Sequence, residues 1–438
     1  MRTRMEDRYG RERPRLPRTC FGCGTCSGMC PAGAIAMTPD QAGLFGPSID
    51  VRRCTCCGTC LEVCPYLTLI HEPRAPTHWR GTHVRSYNEA LSVGSHVGCY
   101  HGWASDAGLR QDSTSGGLVS ALLITLLQRG DIHGAIVVGS SQVDWLRPSA
   151  MVARTEEQVR GAMGSKYIPI PVNEALETVR RSPGQYALVG LPCHVQGVRL
   201  AESLDPCIKE RMSLLLGLFC SGTSSLRATP YLLDVLGVRM SQVSTLQFRG
   251  GGWPGGFRAL LRDGTASRTI PFGEYLTAVR ADLPWGCFAC WDALAESADI
   301  SFGDAWTERH ASDADRGVSI AVARTARGAA ILAEAASRGV VELRPASGRE
   351  VVRAQATSVN FKRRHVALRC MATRIARGTS PECRGVEQLR GPSLVTWART
   401  LVLLARRMTM SSRIGSSVLE CIGRRHLRAI MRRQRAAE

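Results

Sequence analysis

Eight cysteines near the N-terminus have the residue type and spacing for iron–sulfur chemistry. The first run is Cys20-x2-Cys23-x2-Cys26-x3-Cys30-Pro31 and the second is Cys54-x2-Cys57-x2-Cys60-x3-Cys64-Pro65. Three thiolates on one tight loop can grip three irons of a cubane, and the loop geometry leaves the fourth iron to a cysteine of the other run. The spacing predicts one 4Fe-4S cluster on Cys20, Cys23, Cys26 and Cys64, and a second on Cys54, Cys57, Cys60 and Cys30. Gly22, Gly24 and Gly58 let backbone amides approach the sulfides and tune their potential. Cys56, inside "CTCCGTC", is off the repeat and is read as a bystander. A zinc or disulfide module is the alternative use of the same residue type. Such clusters carry single electrons and transform no substrate, so a second chemistry is expected downstream.

Three further groups are candidates for it. Asp112-Ser113-Thr114-Ser115-Gly116-Gly117 stands directly before an apolar-periodic segment, so its hydroxyls and amides would meet an anion at a helix start or serve as an ordinary N-cap. Gly164-Ser165-Lys166-Tyr167 offers a cation and a phenol to a flavin ring or its phosphates; a surface lysine with a packed tyrosine would look the same. Cys193 in "GLPCHVQG" and Cys220 in "GLFCSG" end strand-like runs, where sites assemble in open α/β sheets. With the Cys287-x2-Cys290 pair they are the right number of thiols for a third cubane or a zinc ion. No organised His–acid partner makes Cys193 a nucleophile. His194 is a candidate proton donor or a structural histidine. Cys99, Cys207, Cys370, Cys383 and Cys421 are expected to be inert.

The elements that must position these groups divide the chain. Residues 1–18 read as a disordered basic arm, 19–70 as a small α+β bacterial-ferredoxin-like domain, and 71–95 as a linker. Residues 96–345 alternate apolar runs with helical patterns, the mark of a larger α/β domain, and 346–438 form a basic, helical tail. Strands are expected at 134–140, 186–192, 213–222, 298–304 and 317–324, and helices at 116–130 and 325–339.

The net charge of +19 lies mostly at the two ends. Residues 391–438 hold ten arginines against two glutamates, and residues 1–18 hold seven arginines against three acids. Few aromatics are interleaved with these arginines, so nucleic acid is not the expected partner. An acidic protein, an anionic membrane surface or plain solvent are the alternatives. The most apolar tail segment, 393–408, is broken by Arg399 and too short to cross a bilayer. The N-terminus has no apolar h-region, so a cytoplasmic protein is expected, with peripheral contact at the inner membrane face as an option.

"STSGG", "GSKY", "GLPCHVQG", "LGLFCSG" and "CFACWDALAESADISFGDAW", in that order, resemble the family of coenzyme F420 hydrogenase/dehydrogenase beta subunits, some members of which carry an N-terminal two-cluster module. The resemblance implies FAD in the α/β domain, touched by Ser113, Thr114, Ser115, Gly116, Gly117, Ser165, Lys166 and Tyr167. It also implies a third 4Fe-4S cluster on Cys193, Cys220, Cys287 and Cys290. The tail beyond about 350 matches no motif of the family.

The function expected is an iron–sulfur flavoprotein oxidoreductase. Electrons pass between ferredoxin-type clusters and FAD, then to or from coenzyme F420 or an organic substrate, with Lys166 stabilising an anionic reduced flavin. Its partner would be a ferredoxin or a hydrogenase or dehydrogenase subunit. The alternatives are an electron-transfer subunit without a substrate pocket, and a membrane-surface protein of cell-envelope polysaccharide assembly.

Overall fold

The cysteine block folds as two similar units. The computed structural model describes residues 19–71, 93–139, 148–279, 283–306, 316–364 and 366–377, with residues 4–6, 12–14, 16, 401, 402, 405 and 427 besides. Arg4–Glu6 (β1) and Glu12–Pro14 (β2) pair antiparallel inside the arm, where no element was expected. Gly24 and Gly58, at φ 84° and 83°, each start a one-turn helix, α1 (Thr25–Gly28) and α2 (Thr59–Glu62). A side chain at either position would be strained, which is why each loop has a glycine there. Ile35–Pro39 (β3) and Phe45–Ile49 (β4) form the hairpin between the units. Pro65, whose missing N–H costs nothing in a first turn, opens α3 (Pro65–His71).

An eight-stranded mixed sheet organises the rest, in the order β15-β5-β14-β13-β9-β8-β6-β7. The strands are β5 (Gly98–Ala104), β6 (Gly134–Gly139), β7 (Ser149–Ala153), β8 (Tyr186–Gly190), β9 (Met212–Leu218), β13 (Ile300–Asp304), β14 (Ser319–Ala323) and β15 (Val341–Ala346). The inner strands β6, β8, β9 and β13 are parallel, and antiparallel strands flank them. Alternation along the strands builds two cores. Ile136, Leu188 and Leu215 face one layer, with Val195 and Val198 of helix α5, while Val137, Ala187, Leu214 and Leu216 face the other. Helix α4 (Leu118–Gln128) covers that second face, and α5 (Pro192–Leu204) lies between β8 and β9 in the chain. Helices α6 (Trp285–Ala289) and α7 (Ala326–Ser337) flank β13 and β14 in sequence. A separate antiparallel sheet joins β10 (Val243–Gly250), β11 (Gly256–Leu261) and β12 (Ile270–Pro271).

All five expected strands and both helices occur, most of them shorter than expected, and β9 begins one residue earlier, at Met212. Cys193, expected at a strand end, lies three residues beyond β8, in the first turn of α5. Past residue 346 the described chain is helical, as expected, through Gly348–Ala354, the π-turn Asn360–Arg364 and α8 (Val366–Arg377). These helices are not a free tail: Arg369 is 1% exposed and bonds to the backbone of Phe288 and Cys290. Most of the tail, with Cys383 and Cys421, and most of the 71–95 linker lie outside the described residues. Among the described residues, no helix is long and apolar enough to cross a membrane.

Candidate functional site

The predicted cysteines come together in three groups. All sixteen described cysteines are free thiols. Burial, and then the charges of Cys23, Cys20, Cys64 and Cys60, push the Cys26 thiol well above its ordinary value. Cys20 rises to about 12 through burial and its neighbour Cys23, and Cys64 rises through burial and then Cys20 and Cys23. In the second group, burial and the charges of Cys57, Cys30 and Cys54 raise Cys60 to about 12. Cys57 lies at the surface, where hydrogen bonds from Thr59 and Thr55 outweigh its slight burial and lower its thiol. Cys20, Cys23, Cys26 and Cys64 thus act on one another, as do Cys30, Cys54, Cys57 and Cys60, with Cys26 beside Cys60 where the two groups approach each other. Cys56, at φ 58°, is not among the charges acting on Cys60.

The third group assembles Cys193, Cys220, Cys287 and Cys290. Burial raises the Cys193 thiol first, followed by the charges of Cys23, Cys287, Cys220 and Cys290. Cys23 belongs to the N-terminal module, so the third group abuts the first. Burial also raises the Cys220 and Cys287 thiols, and thiols held up next to one another in this way suit a cationic core that supplies the missing charge. Among the described residues, no three His, Cys, Asp or Glu side chains close around a single ion.

Close backbone contact brings the module to the larger domain. A Cβ on Gly24 would stand 2.7 Å from the Pro171 oxygen, and one on Gly28 would collide with the Asn173 carbonyl. Asn173, fully buried, donates from Nδ2 to Thr25 Oγ1 and to the His194 carbonyl, both at 2.8 Å, and from its amide to the Cys23 carbonyl at 3.0 Å. No sequence pattern links residues 148 positions apart, so Asn173 was missed. Asn173→Ala should strand two buried acceptors and cost about 1–3 kcal/mol, read by thermal unfolding.

A cavity of about 830 Å³ opens at the carboxyl ends of β6, β8, β9 and β13, the place where α/β sheets bind ligands. Cys193, Cys220, Cys287 and Cys290 line it. So do Ser113, Thr114, Ser115, Gly117, Ser165, Lys166 and Tyr167. The two polar motifs are tied together, because Thr114 Oγ1 accepts from the Ser165 amide at 2.8 Å. Gly117, at φ 80°, starts α4 without a side-chain cap, and the hydroxyls before it are engaged elsewhere, Ser113 donating to the Leu109 carbonyl and Ser115 to the Val318 carbonyl. Gly116 differs from the others. It does not line the cavity; its amide donates to Ser319 Oγ at 2.9 Å, and a Cβ would run into backbone of β5 and β14.

Lys166 Nζ donates to the carbonyls of Ala162 and Met163 at 2.6 and 2.9 Å, which leaves one of its three N–H groups uncommitted by these bonds. Burial lowers its pKa to about 8. The Tyr167 ring packs against Phe248, Phe272 and Tyr275. His194 also lines the cavity, but its Nδ1 accepts from the Leu191 amide at 3.0 Å and its ring bonds the Ile170 backbone. Burial drops it to about 4, so the imidazole is neutral and holds backbone in place; a proton-donor role finds no support in this geometry. Lys362, missing from the sequence expectations, lines the cavity as well and is 1% exposed.

Paired thiol groups in a small module, and a third group beside a cavity at the strand ends of an α/β sheet, define an iron–sulfur electron-transfer protein. The family described as "Coenzyme F420 hydrogenase/dehydrogenase, beta subunit" matches through its N-terminal part at residues 99–177 and its C-terminal part at 184–349, and a 4Fe-4S dicluster domain matches 19–67. The chain belongs to this family. It is 29% identical to the coenzyme F420 hydrogenase subunit beta of Methanothermobacter thermautotrophicus over 47% of this chain and 73% of that one. It is 26% identical to the coenzyme F420 hydrogenase subunit beta of Methanosarcina barkeri over 49% of this chain and 74% of that one. A chain of the F420-reducing [NiFe] hydrogenase complex from Methanosarcina barkeri shares the fold, with a TM-score of 0.53, 22% identity, and coverage of 66% of this chain and 97% of that one.

Proposed function

We propose that this chain is an iron–sulfur flavoprotein oxidoreductase working with a redox partner protein. Its three thiol groups would hold 4Fe-4S clusters, its cavity FAD, and its substrate would be coenzyme F420 or another organic acceptor or donor. The supporting observation is the cavity lining, where the serine–glycine motif, Lys166 and four cysteines meet. When bound, clusters carry single electrons and a flavin takes one or two. The chain's residues supply the rest. The uncapped start of α4 presents amides to an anionic phosphate. Lys166 is held by two carbonyls as a fixed cation at the cavity wall. The surface-exposed Cys57 marks the end of the row nearest a docking partner. The family's description and the names of its relatives support coenzyme F420 as the substrate class.

The isolated chain, reduced anaerobically, should bleach added coenzyme F420. Reduction seen only with a partner subunit present would support the electron-transfer subunit without its own substrate site. Lys166→Met should weaken FAD binding by about 1.5–3 kcal/mol, roughly tenfold to a hundredfold in Kd. Because burial lowers Lys166 to about 8, the cation is present below that pH and lost above it. Wild-type FAD affinity should therefore fall as pH rises through 8, while the Met variant shows no such step in a fluorescence titration.

A further inference from the structure

Lysine is rare in this chain. Lys166, Lys209 and Lys362 are the only three among 56 basic residues, the others being arginine. Two of the three line the redox cavity. An ammonium is a compact point charge, whereas a guanidinium is a planar fork. A chain that uses arginine almost everywhere else has kept the point charge at this cavity.

Lys362 is the more deeply placed of the two, at 1% exposure. It lines the same cavity wall as Cys220, Cys287 and Cys290, and the charges of these three thiols act on its ammonium. The position is built rather than incidental. Lys362 lies in the π-turn Asn360–Arg364, and the buried Arg369 donates to the Lys362 carbonyl at 3.1 Å and also to the Phe361 carbonyl. The same guanidinium donates to the carbonyls of Phe288 at 2.7 Å and Cys290 at 3.3 Å. The turn and the Cys287–Cys290 loop are thus clamped as one unit. Carboxylates nearby are engaged elsewhere: Glu296 pairs with Arg363, and Asp292 accepts from Gln196 and the Leu294 amide. A buried ammonium needs a counter-charge, and the thiol sulfurs are what Lys362 meets.

We propose that Lys362 is the charge partner of the third cysteine quartet, a positioning residue whose buried ammonium raises the reduction potential of the 4Fe-4S cluster on Cys193, Cys220, Cys287 and Cys290. This rests on the third-cluster reading above. A fixed positive charge favours the more negative, reduced state of a cluster. The amides of Gly222, 3.3 Å from the Cys220 sulfur, and of Thr223, at Cys287, act in the same sense. The result is an electron-accepting centre at the cavity wall, favouring electron movement out of the N-terminal module.

Iron analysis and EPR-monitored redox titration of the full chain, purified anaerobically as wild type, Lys362→Met and Lys362→Arg, test this. The Met variant should keep its iron, and one of three midpoints should fall while two stay. At the wild-type midpoint the reduced-to-oxidised ratio of that cluster should drop at least about tenfold, a shift of about 59 mV for one electron. Lys362→Arg, which keeps the charge, should recover most of the shift. Loss of one cluster's iron in Met but not in Arg would equally support the charge role. Unmoved midpoints in an iron-replete Met variant would overturn it, as would the same iron loss in both variants, which would assign Lys362 to packing. Wild-type protein with only two clusters' worth of iron would instead sink the third-cluster reading, and this inference with it.

Discussion

Cys193→Ser is expected to strip one cluster from the chain and leave the other two in place. Iron should fall from about twelve to about eight per chain, with the two N-terminal EPR signals unchanged. The separation is expected because the cysteines of the N-terminal module are complete without Cys193, while Cys193 shares its surroundings with Cys220, Cys287 and Cys290. Flavin content should hold, since Ser113–Gly117 and Lys166 lie on other elements. Electron delivery should fall to background, because Cys193 is the member of its group that stands by Cys23, at the junction with the first group. A Cys193→Ser protein that retains all its iron would remove this residue from the ligand set.

Gly28→Ala is expected to damage the junction between module and sheet without touching a ligand. Its Cβ would collide with the Asn173 carbonyl and come within 3.2 Å of the Glu174 oxygen. Neither side can give way cheaply. The Asn173 amide is bonded to the Cys23 carbonyl, and its side chain is bonded to Thr25 and His194. Overpacking of this kind costs about 1–3 kcal/mol, read as a Tm lower by roughly 2–4 °C for each kcal/mol. Electron transfer from the first group to the third should slow in rapid-mixing experiments while the iron content stays constant. Gly46→Ala, whose Cβ would meet nothing within 4 Å, is the control and should behave as wild type. Equal melting and equal rates for the two variants would mean that the junction is not tightly packed in solution.

What could be read from the sequence follows from how each element announces itself. The inner strands are buried on both faces, so "AIVV", "ALV" and "SLLLGL" stand out as apolar runs. Strand β5, "GCYHGWA", carries two glycines and His101 yet lies between β14 and β15, and its pattern hides it. Strand β15 is an edge strand that contains Pro345 and is largely exposed, so no apolar run marks it. The β10–β12 sheet was hidden by the glycine-rich turn and interspersed arginines of "FRGGGWPGGFR". The crossed cysteine groups were legible because cubane geometry dictates the spacing. The third group was legible only as four thiols in the right number, and their convergence depends on the sheet. Lys362 gave no local signal inside an arginine-rich stretch. Its clue was compositional: the scarcity of lysine everywhere else.

On the proposed function, one chain carries a row of three clusters ending at a flavin cavity. Iron, acid-labile sulfide and flavin analysis of the anaerobically purified chain tests it most directly. About twelve irons and twelve sulfides with one FAD per chain are the predicted result. About eight irons with no bound flavin would rule out the third cluster and the flavin site, leaving the N-terminal module as the redox centre.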